Sequence, residues 1–415
     1  MRALVIHPPT LPYGYTLHHR FQRVWEAAAY ARRFHPGVRV IDAGLLNMLI
    51  GQLLSEFARD YDAVAFYCEP QMLTTVADLT ERLRHIAPRT AILVYGPAAV
   101  CFPDEVGTLP VDAVGRRGDL DAQLRQFFDL VTGRDTAPAN LARRVDGKWV
   151  EPTGPAETVP AAEWAFPPLD EMPMADIGRV YDMKEQPLTV AVTASRGCPY
   201  RCAFCATPEL EGRPDRRRPA DELAAFVAAH PQYQHWQFYS PTFTLDRRWC
   251  LAFFDELRAC DTRIRWRCTT RVDRLDEELV RAMADTGCHM VGLGVETLGP
   301  AMNRIHKNID RERTATAIRL LREHGIHTKA YVILGLPDQD IEEVRETVEF
   351  VTRLGARIRP TMYSPQGAAD ALGEETVAGV EAVSHLDRKS FLSNREHYGE
   401  FLRLAFDRRV SSPAM

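Results

Sequence analysis

Short apolar runs alternate with helix-length amphipathic segments in two successive series, and this alternation constrains the fold more than any other feature of the chain. Strands that alternate with helices form βαβ units, whose parallel sheet carries helices on both faces. The first series ends near residue 115 and the second begins near residue 189. The sequence therefore predicts two α/β domains.

The first domain is predicted over residues 1–135 as a Rossmann-like parallel sheet. Its apolar runs predict strands at residues 3–8, 38–43, 63–68, 91–96 and 112–115. In a doubly wound sheet, ligands bind beyond the carboxyl ends of the strands, where the strand order reverses. No G-x-G-x-x-G fingerprint follows the first strand, so the sequence does not support a nicotinamide site.

The rest of the chain is predicted as a linker, a partial barrel and a C-terminal segment. Residues 136–185 hold seven prolines and an aromatic patch around Trp149 and Trp164, which is typical of a linker that packs against its neighbours. Residues 186–367 form the second domain, with strands predicted at 189–194, 235–239, 264–268, 290–295, 330–334 and 357–362. Six successive βα units predict a partial (β/α)6 barrel, with its active site in the loops after the strands. Residues 368–415 are predicted as a short helical segment.

Three cysteines share the loop after the first barrel strand, in Cys198-Pro-Tyr-Arg-Cys202-Ala-Phe-Cys205. Three soft thiolates at this spacing suit an iron–sulfur cluster. A zinc site would need a fourth Cys or His nearby, and residues 206–229 contain neither, so zinc is the weaker interpretation. Three unrelated buried thiols are the remaining alternative.

Composition excludes several classes of partner. The chain has 415 residues with a net charge of −5, 46% apolar residues and 26% charged residues. This balance is typical of a globular protein with no nucleic-acid partner and no polybasic membrane anchor. The other six cysteines are scattered singly, which does not resemble a disulfide framework. The N-terminal apolar run is too short for a signal peptide, and no uncharged stretch reaches the roughly 18 residues of a membrane span. We therefore expect a cytoplasmic protein.

The cysteine loop resembles that of the radical S-adenosylmethionine (SAM) superfamily, whose signature is this spacing with an aromatic residue before the third cysteine, here Phe204. The resemblance implies a 4Fe-4S cluster on Cys198, Cys202 and Cys205, with SAM bound to the open fourth iron. It also implies cleavage of SAM to a 5′-deoxyadenosyl radical. That step needs one electron from a donor such as flavodoxin or ferredoxin.

A later segment resembles the G-x-I-x-G-x-x-E motif of this superfamily, which contacts the adenine of SAM at the fifth strand. Here the segment reads Tyr331-Val-Ile333-Leu-Gly335-Leu-Pro-Asp338. The resemblance implies that Ile333 and Gly335 bind the cofactor. Tyr331 replaces the first glycine and Asp338 the terminal glutamate, so the match is inexact.

Two charged residues are further candidates for binding SAM. Glu296 ends the fourth barrel strand, where the superfamily places a polar side chain on the ribose or methionine part of SAM. The alternative is a glutamate that caps a helix. Arg271 follows the third strand and could pair bidentately with the SAM carboxylate, a geometry that suits arginine. Its alternative is a surface ion pair with Asp273.

Nearly the whole chain resembles the subfamily in which a cobalamin-binding domain precedes the barrel. Ligation of cobalt through D-x-H-x-x-G is excluded, because none of the 13 histidines has Asp two residues before it. Relatives carry small residues where the nucleotide tail of cobalamin enters, whereas this chain has Phe66-Tyr67-Cys68-Glu69 and Tyr95-Gly96. We therefore expect a vestigial domain, and cobalamin is the less favoured cofactor.

The expected reaction follows from the expectation that the first domain does not bind cobalamin. Without cobalamin, the interpretation we favour is radical dehydration of a small polar secondary metabolite, as in the aminoglycoside diol dehydratases of the subfamily. The alternative is a cobalamin-dependent C-methyltransferase of a natural product. An electron carrier is disfavoured, since it has no use for SAM motifs. Tyr239, after the second strand, is the catalytic candidate because a phenol can donate a proton or a hydrogen atom, although it could also be a packing residue. Tyr363 and Ser364 can also face the substrate.

Overall fold

A computed structural model describes residues 1–9, 21–183, 185–336, 339–363, 399–400 and 403. The chain divides into two compact units, of which the first contains Met1–Leu188 with Glu209–Gly212 and the second contains Thr189–Pro208 and the described residues from Arg213 onward. Each unit has its own parallel sheet, so the predicted α/β class is confirmed. Among the helices that the structure describes, none has the length and apolar character to cross a membrane.

The first unit is built on a seven-stranded sheet with the order β2-β1-β3-β4-β5-β6-β7. The strands are β1 Ala3–His7, β2 Val38–Asp42, β3 Ala63–Tyr67, β4 Ala91–Tyr95, β5 Ala113–Gly115, β6 Leu141–Val145 and β7 Lys148–Val150. The helices are α1 Phe21–Arg32, α2 Ile50–Phe57, α3 Leu73–Ile86, α4 Pro97–Cys101, α5 Pro103–Gly107, α6 Leu120–Val131 and α7 Met174–Met183. Strands β1 to β5 are parallel, and the strand order reverses between β1 and β3. That reversal places the expected ligand edge at the carboxyl ends of β1 and β3.

The segment predicted as a linker belongs to the first unit, so the boundary at residue 135 is wrong. Strands β6 and β7 form an antiparallel hairpin that extends the sheet from β5. The indole of Trp149 donates to the Gly107 carbonyl at 3.0 Å. Trp164 is buried against Tyr30 and Ala122, and its indole donates to the Val159 carbonyl. These aromatic contacts fix the segment on the first unit, which runs to Leu188.

The second unit is built on a six-stranded, fully parallel sheet with the order β15-β14-β13-β12-β11-β8. Its strands are β8 Thr189–Thr193, β11 His235–Tyr239, β12 Arg265–Arg271, β13 Cys288–Glu296, β14 His327–Leu334 and β15 Arg357–Met362, and the short strands β9 Ser195–Arg196 and β10 Arg216–Arg217 pair with each other. The helices are α9 Ala220–Ala228, α10 Arg247–Ala259, α11 Glu277–Asp285, α12 Ala301–Arg304, α13 Arg311–Glu323 and α14 Ile341–Arg353. The short helix α8 Thr207–Glu211 begins in the second unit and ends in the first. Spatial neighbours follow chain order, as the predicted βα units require. The predicted C-terminal segment at 368–415 lies outside the described residues except for 399–400 and 403.

Aspartate caps fix where several of these helices begin. The carboxylates of Asp276 and Asp310 accept hydrogen bonds from the Leu279 and Arg313 amides at 2.9 and 2.7 Å. Each bond satisfies one of the amides that the first turn of a helix leaves unpaired. The loops at the carboxyl ends of the strands are therefore held by capped helices, which suits them to carry a site.

Candidate active site

The cysteine loop begins where β8 ends. Gly197 has φ 84°, a left-handed conformation that favours glycine, and it turns the chain toward Cys198. Cys198 is 8% exposed, and Cys202 and Cys205 are partly exposed. The amide of Cys205 donates to the Cys202 carbonyl at 3.0 Å, and the Ala203 amide donates to the Ile305 carbonyl at 3.1 Å. The loop is thereby held from within and from the segment after α12.

The three thiols lie close enough to influence one another. Burial raises the pKa of Cys198, and a negative charge on Cys205 raises it further. Burial also raises the pKa of Cys202, whereas Lys307 and Arg271 act to lower it. A cluster iron binds thiolates, so these two cations favour the protonation state that ligation needs. The donor set therefore fits a cluster held by three cysteines.

Arg271, at the end of β12, is buried beside this loop. Its Nη1 lies 3.7 Å from Cys202 Sγ, and its guanidinium carbon lies 3.8 Å from the centre of the Tyr200 ring. Nε and Nη2 donate to the two carboxylate oxygens of Asp273 at 2.8 and 3.1 Å, and Nη2 also donates to the Lys307 carbonyl. The alternative pairing with Asp273 is therefore present, but in a buried position. Asp273 thus occupies the Nε/Nη2 edge of the guanidinium, which is one of its two edges that can pair bidentately with a carboxylate.

Glu296 forms a buried ion pair with Lys307 at the carboxyl end of β13. Lys307 Nζ donates to Glu296 Oε1 at 2.5 Å, and both side chains are less than 10% exposed. Glu296 has φ 66°, a strained conformation for a non-glycine residue. A Cβ at Gly294 would lie 2.5 Å from Lys307 Nζ, so only glycine leaves room for the ammonium. The first amide of α12 donates to Glu343, and Glu296 is instead paired with Lys307.

Lys307 is a site residue that the sequence analysis missed. Its ammonium lies 5.7 Å from the centre of the Phe204 ring, so the aromatic residue of the cysteine loop faces this cation. Lys307 follows α12 in a segment without a motif. The Gly292-Leu-Gly294 pattern is the sequence signal that could have indicated a bulky partner over β13.

The adenine motif forms a tight turn after β14. Gly335 has φ 79°, and its amide donates to the Gln339 side chain at 2.7 Å. Gln339 Nε2 donates back to the carbonyl of Ile333, which is itself buried. Gln339 is thus a second residue that the sequence analysis missed, and Asp338 lies outside the described residues.

Tyr331 fits in place of the first glycine of the motif because of the neighbouring strand. A Cβ at Gly292 would lie 2.6 Å from the Tyr331 ring. Gly292 on β13 therefore provides the space that the glycine on β14 would otherwise give.

Tyr239 ends β11 and lies opposite Thr193 of β8 in the sheet register, with its side chain partly buried. The next residue, Ser240, pairs with the Ser195 hydroxyl at 2.6 Å. Tyr363 follows β15, and burial raises the pKa of its phenol. Ser364 lies outside the described residues. The catalytic role of Tyr239 stays a prediction, although its strand ends at the same edge of the sheet as the cysteine loop.

Comparison with known families tests this site. Residues 192–351 match the Radical SAM superfamily, and the match includes all three loop cysteines. These residues form a radical SAM domain. The prediction of a radical SAM enzyme is confirmed at this level, and a 4Fe-4S cluster and SAM are the cofactors of such a domain.

Relatives and solved structures extend the likeness beyond the barrel. The chain is 26% identical over 344 residues to the uncharacterized methyltransferase PH0819 of Pyrococcus horikoshii, which covers 79% of this chain and 72% of that protein. The structure of the radical SAM methyltransferase TsrM from Kitasatospora setae, with cobalamin and a [4Fe-4S] cluster bound, matches 96% of this chain and 85% of that chain at a TM-score of 0.70 and 17% identity. The cobalamin-dependent SAM radical enzyme OxsB matches 97% of this chain and 56% of that chain at a TM-score of 0.68 and 17% identity. At this identity the structural likeness shows a shared fold.

Two tyrosines fill the slot that the sequence analysis assigned to a nucleotide tail. Tyr67 and Tyr95 end β3 and β4 with 1% and 0% of their surface exposed, and their ring centres lie 5.7 Å apart. The Tyr67 hydroxyl donates to Glu69 Oε1 at 2.5 Å. A Cβ at Gly96 would lie 2.9 Å from the Tyr67 ring, so the ring occupies the space beside the glycine. The described residues at this place do not fit the tail of cobalamin.

A buried acid–base pair lies at the same edge of the first unit, where the strand order reverses. His7 Nδ1, at the end of β1, is 3.0 Å from Asp42 Oδ1, and both side chains are buried. Burial acts to lower the pKa of His7, but Asp42 and Glu69 outweigh it and raise the pKa above its ordinary value.

Proposed function

We propose that the protein is a radical SAM methyltransferase that acts on a small molecule. The observation that carries this proposal is the similarity to the methyltransferase PH0819, which extends over 79% of the chain and therefore beyond the cysteine loop. Three further relatives named as methyltransferases act, by their names, on bacteriochlorophyllide d and on cytidylyl-2-hydroxyethylphosphonate. These relatives support methyl transfer over the dehydration that we favoured from the sequence.

The second unit supplies the groups that such an enzyme needs to hold its cluster. Cys198, Cys202 and Cys205 would each bind one iron, and the cluster when bound would supply the electron for reductive cleavage of SAM. Arg271 donates toward Cys202 Sγ and stabilises its thiolate form. We assign to Arg271 this electrostatic role beside the cluster, because Asp273 occupies its Nε/Nη2 edge and Nη1 is directed toward Cys202 Sγ.

The Glu296–Lys307 pair is proposed to position cofactor groups next to the cysteine loop. Glu296 holds the Lys307 ammonium close to the Phe204 ring and within electrostatic reach of Cys202. A fixed cation at this place favours an anionic group such as the carboxylate of SAM. Ile333 and Gly335 are proposed to contact the adenine, because the Gln339 side chain fixes the backbone of their turn.

Cobalamin is a proposed cofactor on the strength of the relatives. OxsB is described as cobalamin-dependent, and TsrM was solved with cobalamin bound. The slot between Tyr67 and Tyr95 argues against a nucleotide tail at that place, so we assign no step to the corrinoid. The filled slot favours a second candidate function, which is cobalamin-free hydrogen abstraction followed by dehydration, with Tyr239 as the proton donor.

One reconstitution distinguishes the two candidates. The full chain is reconstituted anaerobically with iron and sulfide, incubated with hydroxocobalamin and desalted, and SAM with a deuterated methyl group is added with reductant. We expect a corrinoid absorbance band that is retained on desalting, and S-adenosylhomocysteine formed from SAM by mass spectrometry. Loss of the corrinoid on desalting, with 5′-deoxyadenosine still formed, would overturn the methyltransferase proposal in favour of the second candidate.

A further inference from the structure

Four basic side chains share one face of the barrel sheet, and we name Arg267, Lys329, Arg357 and Arg359 the barrel cation cluster. Lys329 lies opposite Gly292 on one side and Arg357 on the other, and Arg359 lies opposite Tyr331. Side chains two residues apart on a strand share a face of the sheet. Arg267 lies four residues before Arg271 on β12, on the same face of the sheet, and is the fourth member of the cluster. The cluster therefore lies on the same face as Arg271, which reaches Cys202 Sγ.

The spacing of the rows places the cluster within reach of a small substrate. A row here is the set of residues that lie opposite one another on adjacent strands. The row that contains Lys329 and Arg357 lies two residues, or about 7 Å along a strand, before the row that contains Arg271 and Gly294. Arg267 lies two residues before the row of Lys329, about 13 Å from the row of Arg271. A molecule that reacts beside the cysteine loop could thus extend an anionic group onto this surface.

No acidic partner balances these charges in the part of the chain that the structure describes. Arg267 Nε donates to the neutral Gln237 side chain at 3.0 Å, and its buried Nη2 has no hydrogen-bond partner among the described residues. Burial lowers the pKa of Lys329 to about 8, and the other charges that act on it come from Arg359, Arg267 and Arg357, all of them cations. Arg267 and Lys329 are partly buried, whereas Arg357 and Arg359 are exposed. Clustered cations without a counterion are costly where they are partly buried.

Two other arginines of the second unit pair with carboxylates. Arg217 pairs with Asp215 at 2.6 Å, and Arg271 pairs with Asp273 at 2.8 Å. Burial, and then Arg265, His235 and Arg267, lower the pKa of His289 to about 4. The barrel cation cluster differs from these two arginines in having no carboxylate partner among the described residues.

The surface between these cations has an aromatic and polar edge. Gly292 lies between Thr269 and Lys329 in the register and carries no side chain. The Tyr331 ring covers this glycine, and the Arg359 guanidinium lies 5.4 Å from the centre of the ring. The aromatic contact orients Arg359, and the phenol adds a hydrogen-bond donor beside the cations.

We propose that the barrel cation cluster binds a phosphoryl or phosphonyl group of the substrate. A dianion with three acceptor oxygens can be contacted by several cations at once, whereas a monocarboxylate neutralises only one of them. The inference rests on the proposed function in one respect only, which is that the molecule carrying this anionic group is the methyl acceptor. It names the substrate class as a phosphorylated or phosphonylated small molecule.

Inorganic phosphate tests the site on the reconstituted full chain with SAM bound, by isothermal titration. We expect Lys329→Gln and Arg267→Gln each to weaken phosphate binding at least tenfold, a loss of about 1.4 kcal/mol. Lys329→Arg should keep the affinity within threefold. Arg319→Gln, which removes an exposed arginine of α13, is the matched control and should change it less than twofold.

Three outcomes would overturn the inference. Unchanged phosphate affinity in both glutamine variants, with normal iron content, would show that the cluster is not the anion site. A parallel loss of SAM affinity would assign the cations to the carboxylate of SAM. Acetate binding as tightly as phosphate would contradict the phosphoryl assignment. Formation of S-adenosylhomocysteine without phosphate is measured separately, so failure of the proposed function is distinguishable from failure of this site.

Discussion

Breaking the ion pair between Glu296 and Lys307 should destabilise the barrel strongly. Both side chains are less than 10% exposed and their charged atoms lie 2.5 Å apart, so Lys307→Met leaves a buried carboxylate without its counterion. Removal of one partner of a buried pair costs about 3–5 kcal/mol. For a domain of roughly 150–250 residues each kcal/mol changes Tm by about 2–4 °C, so we expect a fall of about 6–20 °C.

Thermal unfolding of the protein without its cluster, followed by circular dichroism, measures this loss independently of cofactor binding. The double variant Glu296→Gln with Lys307→Met removes both charges and should recover most of the stability, because a buried ion pair can be replaced by uncharged groups at little cost. The double variant should nevertheless bind SAM weakly, since the cation next to Phe204 is gone. If Lys307→Met alone lowers Tm by less than about 2 °C, the reasoning is refuted.

Four further changes test other parts of the molecule. Alanine at any one of the three loop cysteines should abolish iron loading and SAM cleavage, whereas the exposed Cys260→Ser should retain both; normal loading in any alanine variant would contradict the ligand assignment. Tyr67→Gly opens the slot beside Gly96 and should tighten hydroxocobalamin binding at least tenfold in a visible-absorbance titration; an unchanged affinity would show that the tail does not use this slot. Tyr239→Phe should preserve SAM cleavage but lower product formation by about 10²–10⁴-fold if the phenol donates a proton, as quantitative chromatography would show, and an unchanged ratio of product to 5′-deoxyadenosine would assign Tyr239 to packing. The pKa of His7 is raised in the folded state, so its stabilising effect is fully present below pH 6.5 and is lost as the pH rises through the folded value; His7→Phe should remove this dependence from Tm, and an unaltered pH profile would contradict it.

The buried strands were predictable because burial on both faces gives continuous apolar runs. The strand predicted at 3–8 contains β1 and the one predicted at 63–68 contains β3, and every residue of both strands is buried. The hairpin of β6 and β7 was missed because its sequence is rich in arginine and lysine and pairs at the edge of the sheet. Such a strand has no apolar pattern of its own.

The site was only partly predictable. The spacing of the three cysteines is local, so the sequence reveals it directly. The partners of Arg271 and Glu296 are not local, because Lys307 reaches both through the fold. Tyr67 illustrates a different case, since Tyr67, Glu69 and the single glycine Gly96 together predicted a filled slot, and the buried ring beside Gly96 agrees with that interpretation.

The fate of SAM tests the central claim most directly. The reconstituted full chain is incubated anaerobically with SAM, reductant and hydroxocobalamin, and S-adenosylhomocysteine and 5′-deoxyadenosine are quantified by mass spectrometry. A radical SAM methyltransferase should form both products, and omission of hydroxocobalamin should suppress S-adenosylhomocysteine. Formation of 5′-deoxyadenosine alone under all conditions would contradict methyl transfer, and formation of neither product by a chain with a full complement of iron would contradict radical SAM chemistry.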